Sequence, residues 1–266
     1  MTIKLAAMDM DGTLLNRDKL VSEGNRRAIK EAIENGVYVT IATGRMPGSS
    51  AYFARQLNLN CPIISCNGSV VQPIDGSKPI FEAHFSSDTV KQLIEMCYAN
   101  DWYLRWYIGD TIYVRYLDMD MFPAYGTTKG LDIQPVGDDF AKYVDDVTQL
   151  VVCDYKHNIR PVYEQIAGRF GKSIGLQQNT GHSMDITPPG ITKAVGVAKL
   201  AEYLGIKREE IMTLGDGDND LSMIEYAGVG VAMDNAIDEV KNIAQFITKD
   251  CDDDGIAYAF DKFILR

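Results

Sequence analysis

Ile3-Lys4-Leu5-Ala6-Ala7-Met8 runs directly into Asp9-Met10-Asp11-Gly12-Thr13. The first stretch is a short apolar run of strand type. At Asp9 the chain leaves that strand, and Gly12 permits a turn that most residues resist. In an open parallel sheet the binding crevice lies at the carboxyl ends of the strands. Two acids placed there are candidates for chemistry. Taken alone, a turn with solvated acids after a strand fits the same residues equally well.

Working outward, strand and helix patterns alternate. Ser22 to Asn35 carries Ala28, Ile29, Ala32 and Ile33 at helical spacing, with Gly36 placed to end the helix. Val37 to Ala42 reads as a second strand, Gly48 to Leu57 as a helix and Pro62 to Cys66 as a third strand. The end of the chain repeats the pattern. Thr192 to Leu204 is a helix closed by Gly205, Ile211 to Leu214 a strand, Leu221 to Ala227 a helix, Val229 to Ala232 a strand, Ala236 to Ala244 a helix and Phe246 to Thr248 a last strand. Short, near-continuous apolar strands separated by helices predict a doubly wound α/β core with a parallel sheet. Between about residues 83 and 186 the strands are longer, more aromatic and more alternating, as in Tyr103 to Tyr107, Thr111 to Arg115 and Gln149 to Asp154. Helical patterns lie at Ser87 to Ala99 and Ile159 to Phe170. This predicts an α+β domain over 83–186, inserted into an α/β core of 1–82 and 187–266.

A second acidic loop, Gly215-Asp216-Gly217-Asp218-Asn219-Asp220, follows the strand Ile211 to Leu214. Five aspartates would then gather at one edge of the sheet, which is unfavourable unless a cation binds or some acids stay protonated. Few protein ligands plus a substrate phosphate favour Mg²⁺ over Ca²⁺. Thr43-Gly44-Arg45 follows the second strand, where a hydroxyl, backbone N–H groups and a nearby helix start suit a phosphate. Lys193 stands near a helix start, where a cation opposes the macrodipole; a bound phosphate would explain it, and so would a surface position.

The full sequence carries 26 Lys+Arg against 37 Asp+Glu, a net charge of −11, with 46% apolar and 24% charged residues. An acidic chain with no cluster of five basic residues is not expected to bind nucleic acid or an anionic membrane. No apolar run approaches the ~20 residues of a membrane span. The apolar start is broken at once by Asp9 and Asp11, unlike a signal peptide. Five cysteines without a C-x-x-C pair suit a reducing, cytoplasmic setting with buried thiols.

Taken together, D-x-D-G-T at 9–13, A-T-G-R at 42–45, Asn67-Gly68, Lys193 and G-D-x-x-N-D at 215–220 resemble, in order and over the whole length, the haloacid dehalogenase-like superfamily. Within it, the resemblance is to the Cof-type phosphatases with a large α+β cap. The resemblance implies a Mg²⁺-dependent phosphatase of small phosphorylated metabolites, sugar phosphates first, then flavin mononucleotide or pyridoxal phosphate. It implies Asp9 as the nucleophile that forms an aspartyl-phosphate and Asp11 as the general acid, then base. Mg²⁺ would be held by Asp9, the backbone carbonyl of Asp11 and Asp216, with Asp220 behind them and Asp218 the least defined. Thr43, Gly44, Lys193 and Asn219 look like phosphate ligands, and Arg45 resembles substrate-contacting residues. A second aspartate at position 11 separates phosphatases and phosphomutases from dehalogenases and ion-pumping ATPases. A phosphomutase and a non-catalytic phospho-ligand-binding protein are the alternatives. A monomer or small homo-oligomer is expected. The inserted segment would be the cap that sets substrate choice, with His182, Asp185, Tyr107 and Arg105 as candidates that core packing or surface would also explain.

Other signals are weaker. Gly168 to Ser173 looks like the tail of a P-loop, but its first glycine is replaced by Ile166. Asp250, Asp252, Asp254, Gly255 and Asp261 match places of a Ca²⁺-binding EF loop whose last position should be Glu, and read better as an acidic loop before a C-terminal helix. The Asp118-x-Asp120 pair lacks a following glycine, and Trp102, Tyr103, Trp106 and Tyr107 read as cap core.

Overall fold

The computed structural model describes residues 2–118, 132–154 and 157–265. Asp120 therefore lies outside the described residues. The chain forms β1 (Leu5–Met8), α1 (Glu23–Glu34), β2 (Tyr38–Ile41), α2 (Pro47–Gln56), β3 (Ile63–Ser65), β4 (Val70–Gln72) and β5 (Phe81–Glu82). Then come α3 (Ser87–Ala99), β6 (Tyr103–Ile108), β7 (Thr111–Val114), β8 (Asp132–Pro135), β9 (Gln149–Cys153), α4 (Arg160–Phe170), β10 (Gly175–Thr180) and β11 (Ser183–Thr187). Last are α5 (Lys193–Leu204), β12 (Ile211–Gly215), α6 (Leu221–Tyr226), β13 (Val229–Ala232), α7 (Asp238–Ile243), β14 (Phe246–Ile247) and α8 (Gly255–Phe263). They gather into two compact units, Met1–Phe81 with Thr192–Arg266, and Glu82–Ile191.

The first unit is built on a parallel sheet of order β14-β13-β12-β1-β2. Its strands are apolar on both faces because both faces are covered. Ala6 and Met8 of β1 pack with Ala28 and Ile29 of α1 and with Ile256 and Phe260 of α8. Leu5 and Ala7, pointing the other way, pack with Val197 and Leu200 of α5 and Met223 of α6. α1 starts where Ser22 Oγ accepts from the Asn25 N–H (3.2 Å), capping the helix. From β1 the chain moves to one side of the sheet, to β2. From β12 it moves to the other, through β13 to β14. The order thus reverses between β1 and β12, and the crevice outside their carboxyl ends is where a ligand binds in such sheets.

The third strand departs from the simple reading. β3 touches the parallel sheet through one bridge, Ala42 to Ile64, and otherwise pairs antiparallel with β4 in a small β3-β4-β5 sheet. The turn at Cys66, Asn67 and Gly68 sends the chain straight back instead of into a crossover helix.

The second unit holds a six-stranded sheet of order β10-β11-β9-β6-β7-β8, antiparallel except for the β7–β8 pair. Leu104, Trp106, Leu150, Val152, Met184 and Ile186 alternate along three strands and pack on Leu93, Ile94, Val162 and Ile166 of the two helices. β8 and β10 carry Asp, Gln, Pro and Gly, so their sequences show no apolar alternation. Long-range pairing to neighbours makes them strands.

Candidate active site

The site forms in the first unit, where β1 and β12 end. The Asp9 N–H donates to the Leu214 carbonyl (2.9 Å), carrying the β1–β12 ladder one residue past β1. The chain then turns tightly: the Leu15 N–H donates to the Met10 carbonyl (2.7 Å) and the Leu14 N–H to the Asp9 carbonyl (3.2 Å). Gly12 has φ of +89°, and a Cβ there would come within 2.4 Å of the Asp216 carboxylate. Only glycine lets the two acidic loops meet so closely. Thr13 closes the junction, its hydroxyl donating to Asp216 Oδ1 (2.7 Å). Asn235 adds a bond from its side-chain amide to the Gly12 carbonyl (2.8 Å).

Lys193, the first residue of α5, is completely buried, and Asp9 and Asp220 are 6% and 1% exposed. Its Nζ donates to Asp9 Oδ1 and to Asp220 Oδ1, both at 2.6 Å. The surface reading of Lys193 is overturned: its ammonium is the buried counter-ion of Asp9 and Asp220. Burial opposes its charge, but the two carboxylates outweigh burial and hold its pKa above the ordinary lysine value. Asp220 Oδ2 accepts the N–H groups of Asp216 and Gly217 (2.9 Å each). That carboxylate thus accepts three of the chain's own donors and orders the loop.

Carboxylate oxygens of Asp9, Asp216 and Asp220 lie within 4.8 Å of one another. Burial, and then the Asp220 charge, push the Asp216 pKa up to about 6 against the pull of the Thr13 hydroxyl. Burial raises that of Asp9 well above its ordinary value; Lys193 opposes this, and Asp220 and Asp216 add to it. Three acids share one ammonium, so the cluster lacks positive charge. An all-oxygen donor set with that deficit fits a hard divalent cation.

Asp11 takes a different position. Its half-exposed carboxylate accepts Arg45 Nε (2.8 Å), Arg45 Nη2 (2.7 Å) and Lys19 Nζ (3.0 Å). Burial raises its pKa, but the paired Arg45 fork and Lys19 prevail and hold it below the ordinary value. Arg45 thus sits on Asp11 in this arrangement. Thr43 is buried and its Oγ1 accepts from the Arg45 N–H (3.2 Å), while Gly44 lies between them in the loop after β2. Asn219 donates from its side-chain amide to Asn67 Oδ1 (3.0 Å). Asp218 is exposed, in the single turn Asp218–Asp220.

The structure therefore brings Asp9, Asp216, Asp220 and Lys193 into one cluster, with Thr13 against Asp216. Four contributors have no assigned role in the sequence reading: Thr13, Lys19, Asn67 and Asn235. Thr13 and Asn67 belong to segments already singled out, whereas nothing local marks Lys19 or Asn235. In the second unit Arg105, Tyr107 and Asp185 are buried, and Arg105 donates to Cys153 Sγ (2.9 Å). His182 is exposed at the β10–β11 turn. The C-terminal acidic loop holds a cation of the chain's own: Arg17 Nη1 and Nη2 donate to Asp250 (2.7 and 2.8 Å), and the Arg17 N–H donates to Asp252 (3.0 Å). Asp261 lies in α8. All five cysteines are buried thiols. Among the described residues no helix is long and apolar enough to cross a membrane.

The sequence profile of a haloacid dehalogenase-like hydrolase matches residues 6–260. The 5-amino-6-(5-phospho-D-ribitylamino)uracil phosphatase YitU of Bacillus subtilis is 35% identical over 259 residues, covering 95% of this chain and 94% of its own. YcsE, a B. subtilis protein of the same description, is 33% identical over 271 residues, covering 99% and 96%. Among solved structures, a haloacid dehalogenase-like hydrolase from Bacteroides thetaiotaomicron superposes with a TM-score of 0.86 at 29% identity, covering 98% of this chain and 99% of that one. The HAD subclass IIB sugar phosphatase BT4131 superposes with a TM-score of 0.86 at 25% identity, covering 98% of each.

Proposed function

We propose, on the premise that the chain belongs to the haloacid dehalogenase-like hydrolases, that it hydrolyses phosphomonoesters of small metabolites through an aspartyl-phosphate on Asp9. The observation that carries this reading is the buried Lys193 bridging Asp9 and Asp220 beside Asp216, at the carboxyl ends of β1 and β12.

In this reading Lys193 fixes one oxygen of Asp9 and so sets the direction of its attack. It also supplies positive charge where an anionic carboxylate must approach an anionic phosphate. Asp9 forms the new P–O bond as the bond to the leaving alkoxide breaks, and Asp11, protonated once Arg45 has left its carboxylate, gives that alkoxide its proton. Asp11 then takes a proton from the water that attacks the phosphoryl group on Asp9, releasing orthophosphate and restoring the carboxylate. Thr43, Gly44 and Asn219 bind the phosphate oxygens. Arg45, paired with Asp11 before substrate arrives, swings to the non-phosphate part of the substrate and frees Asp11 for proton transfer. Asp9, Asp216 and the Asp11 carbonyl would hold Mg²⁺, with Asp220 ordering them. Mg²⁺, when bound, neutralises the phosphate and the crowded acids.

The inserted segment, residues 83–186 between the core segments 1–82 and 187–266, carries substrate choice. For the substrate class, YitU and YcsE are named for a phosphate on a ribityl chain and BT4131 for sugar phosphates. A phosphate on a polyhydroxyl carbon chain is common to them, and we assign that class here; flavin mononucleotide, a ribityl phosphate, belongs to it, and pyridoxal phosphate, whose phosphate sits on a ring hydroxymethyl group, is a further substrate outside it. The test is orthophosphate release from p-nitrophenyl phosphate, 5-amino-6-(5-phospho-D-ribitylamino)uracil and sugar phosphates, with Mg²⁺ or with EDTA. Wild type should release phosphate only with Mg²⁺, and Asp9→Asn should release none. A folded wild type that releases no phosphate from the whole set refutes the reading.

A further inference from the structure

Between β3 and β4 the chain reverses through Cys66, Asn67 and Gly68, with φ of 50°, 52° and 95°. Three successive left-handed residues are unusual, since only glycine and, after it, asparagine and aspartate enter that region readily. Such backbone persists where the surroundings demand it. The contacts of this turn show what they demand.

The Asn67 N–H donates to the Thr43 carbonyl (3.0 Å) and the Cys66 N–H to the Arg45 carbonyl (2.9 Å). The Thr43 N–H donates back to the Ile64 carbonyl (3.0 Å). A peptide is planar and trans, so a carbonyl turned toward Asn67 turns the next N–H the opposite way. Holding the Thr43 carbonyl therefore aims the Gly44 N–H away from Asn67. The Asn67 side chain, completely buried, accepts from Asn219 with Oδ1 (3.0 Å). On the far side of the turn, a Cβ on Gly68 would lie 2.1 Å from the Thr192 carbonyl, so the backbone packs directly against the start of α5 and Lys193.

We propose that Asn67 is a positioning residue that sets the Thr43–Arg45 loop and Asn219 in register for one phosphate, a role that rests on the phosphatase reading above. Its backbone conformation turns the loop carbonyl inward, and its side chain aims Asn219. Asparagine is the residue that does both: glycine takes the conformation without the amide, and alanine lacks the amide and resists the conformation.

The experiment is calorimetric binding of orthophosphate in Mg²⁺, with Tm and kcat/KM measured alongside, for wild type, Asn67→Gly, Asn67→Ala, Asn219→Ala and Asn67→Gly/Asn219→Ala. Asn67→Gly should melt above Asn67→Ala, since glycine takes the left-handed backbone freely, and should bind orthophosphate about threefold to tenfold more weakly than wild type, the range of one lost hydrogen bond. Asn67→Ala should show the same weakening with a lower Tm. The double variant should bind no more weakly than Asn219→Ala alone, because both changes break one linkage. Wild-type orthophosphate affinity in Asn67→Gly overturns the inference, and so does full additivity in the double variant. Weakening that tracks Tm across the variants, present in Asn67→Ala and absent from Asn67→Gly, overturns it as well. These outcomes are read from binding, so they stand apart from the phosphatase reading, which fails on absent turnover in wild type.

Discussion

Replacing Lys193 with methionine tests the centre of the site. Methionine matches the length of the lysine stem, so little cavity opens, but the ammonium between Asp9 and Asp220 is lost. Two carboxylates that are at most 6% exposed would then lack their counter-ion. Removing one partner of a buried pair costs about 3–5 kcal/mol. For a protein of this size each kcal/mol lowers Tm by roughly 2–4 °C, so the fall should be about 6–20 °C. The assay is thermal unfolding at pH 7 in EDTA, followed by circular dichroism. Without the ammonium the folded-state pKa of Asp9 rises further above its unfolded value. The stability linked to Asp9 is then present below about pH 4 and lost as pH rises through the raised value, so the deficit should shrink toward acid. Mg²⁺ should restore part of it at pH 7 by supplying positive charge to the same carboxylates. A variant that melts within about 2 °C of wild type at pH 7 in EDTA would refute the reasoning, because a buried counter-ion cannot be lost so cheaply.

Gly12→Ala should abolish turnover and lower Tm, since its Cβ would meet the Asp216 carboxylate at 2.4 Å on a backbone with φ of +89°; normal kcat in a melted-and-refolded sample would contradict this. Thr13→Val removes the hydroxyl that orients Asp216, and Mg²⁺ affinity, read from the rise of Tm with metal, should fall by about 10–100-fold. In EDTA the wild type should lose stability as pH rises from about 4 to about 6, because burial and Asp220 raise the Asp216 pKa to about 6 in the folded state. Saturating Mg²⁺ should reverse that slope, since the metal requires the ionised carboxylate; equal slopes with and without metal would show that Asp216 does not bind it.

How much was legible in the sequence differs from element to element. Helix α1 could be read locally because Ser22, the spacing of Ala28, Ile29 and Ala32, and the following glycine all act within one stretch of chain. Strand β10 could not, because Gly-Leu-Gln-Gln-Asn-Thr has no apolar period and becomes a strand by pairing with β11. In the site, Asp9, Asp11 and Asp216 stood out because their loops follow apolar strands in matching positions. Lys193 gave no local sign of burial, and its partners lie 184 and 27 residues away. Arg17 likewise finds Asp250 and Asp252 across most of the chain.

Local chemistry, then, was determined by sequence alone: which stretches are apolar with period 2 or 3.6, where glycine permits a turn, and which acids stand at strand ends. Tertiary structure decided which charges meet. It buried Lys193 between two acids, paired Arg45 with Asp11, sent β3 back through a left-handed turn and set Asn67 against Asn219. The physical reason is that backbone propensity acts over a few residues. A buried ion pair or a shared hydrogen bond is set by distances that only the folded sheet establishes.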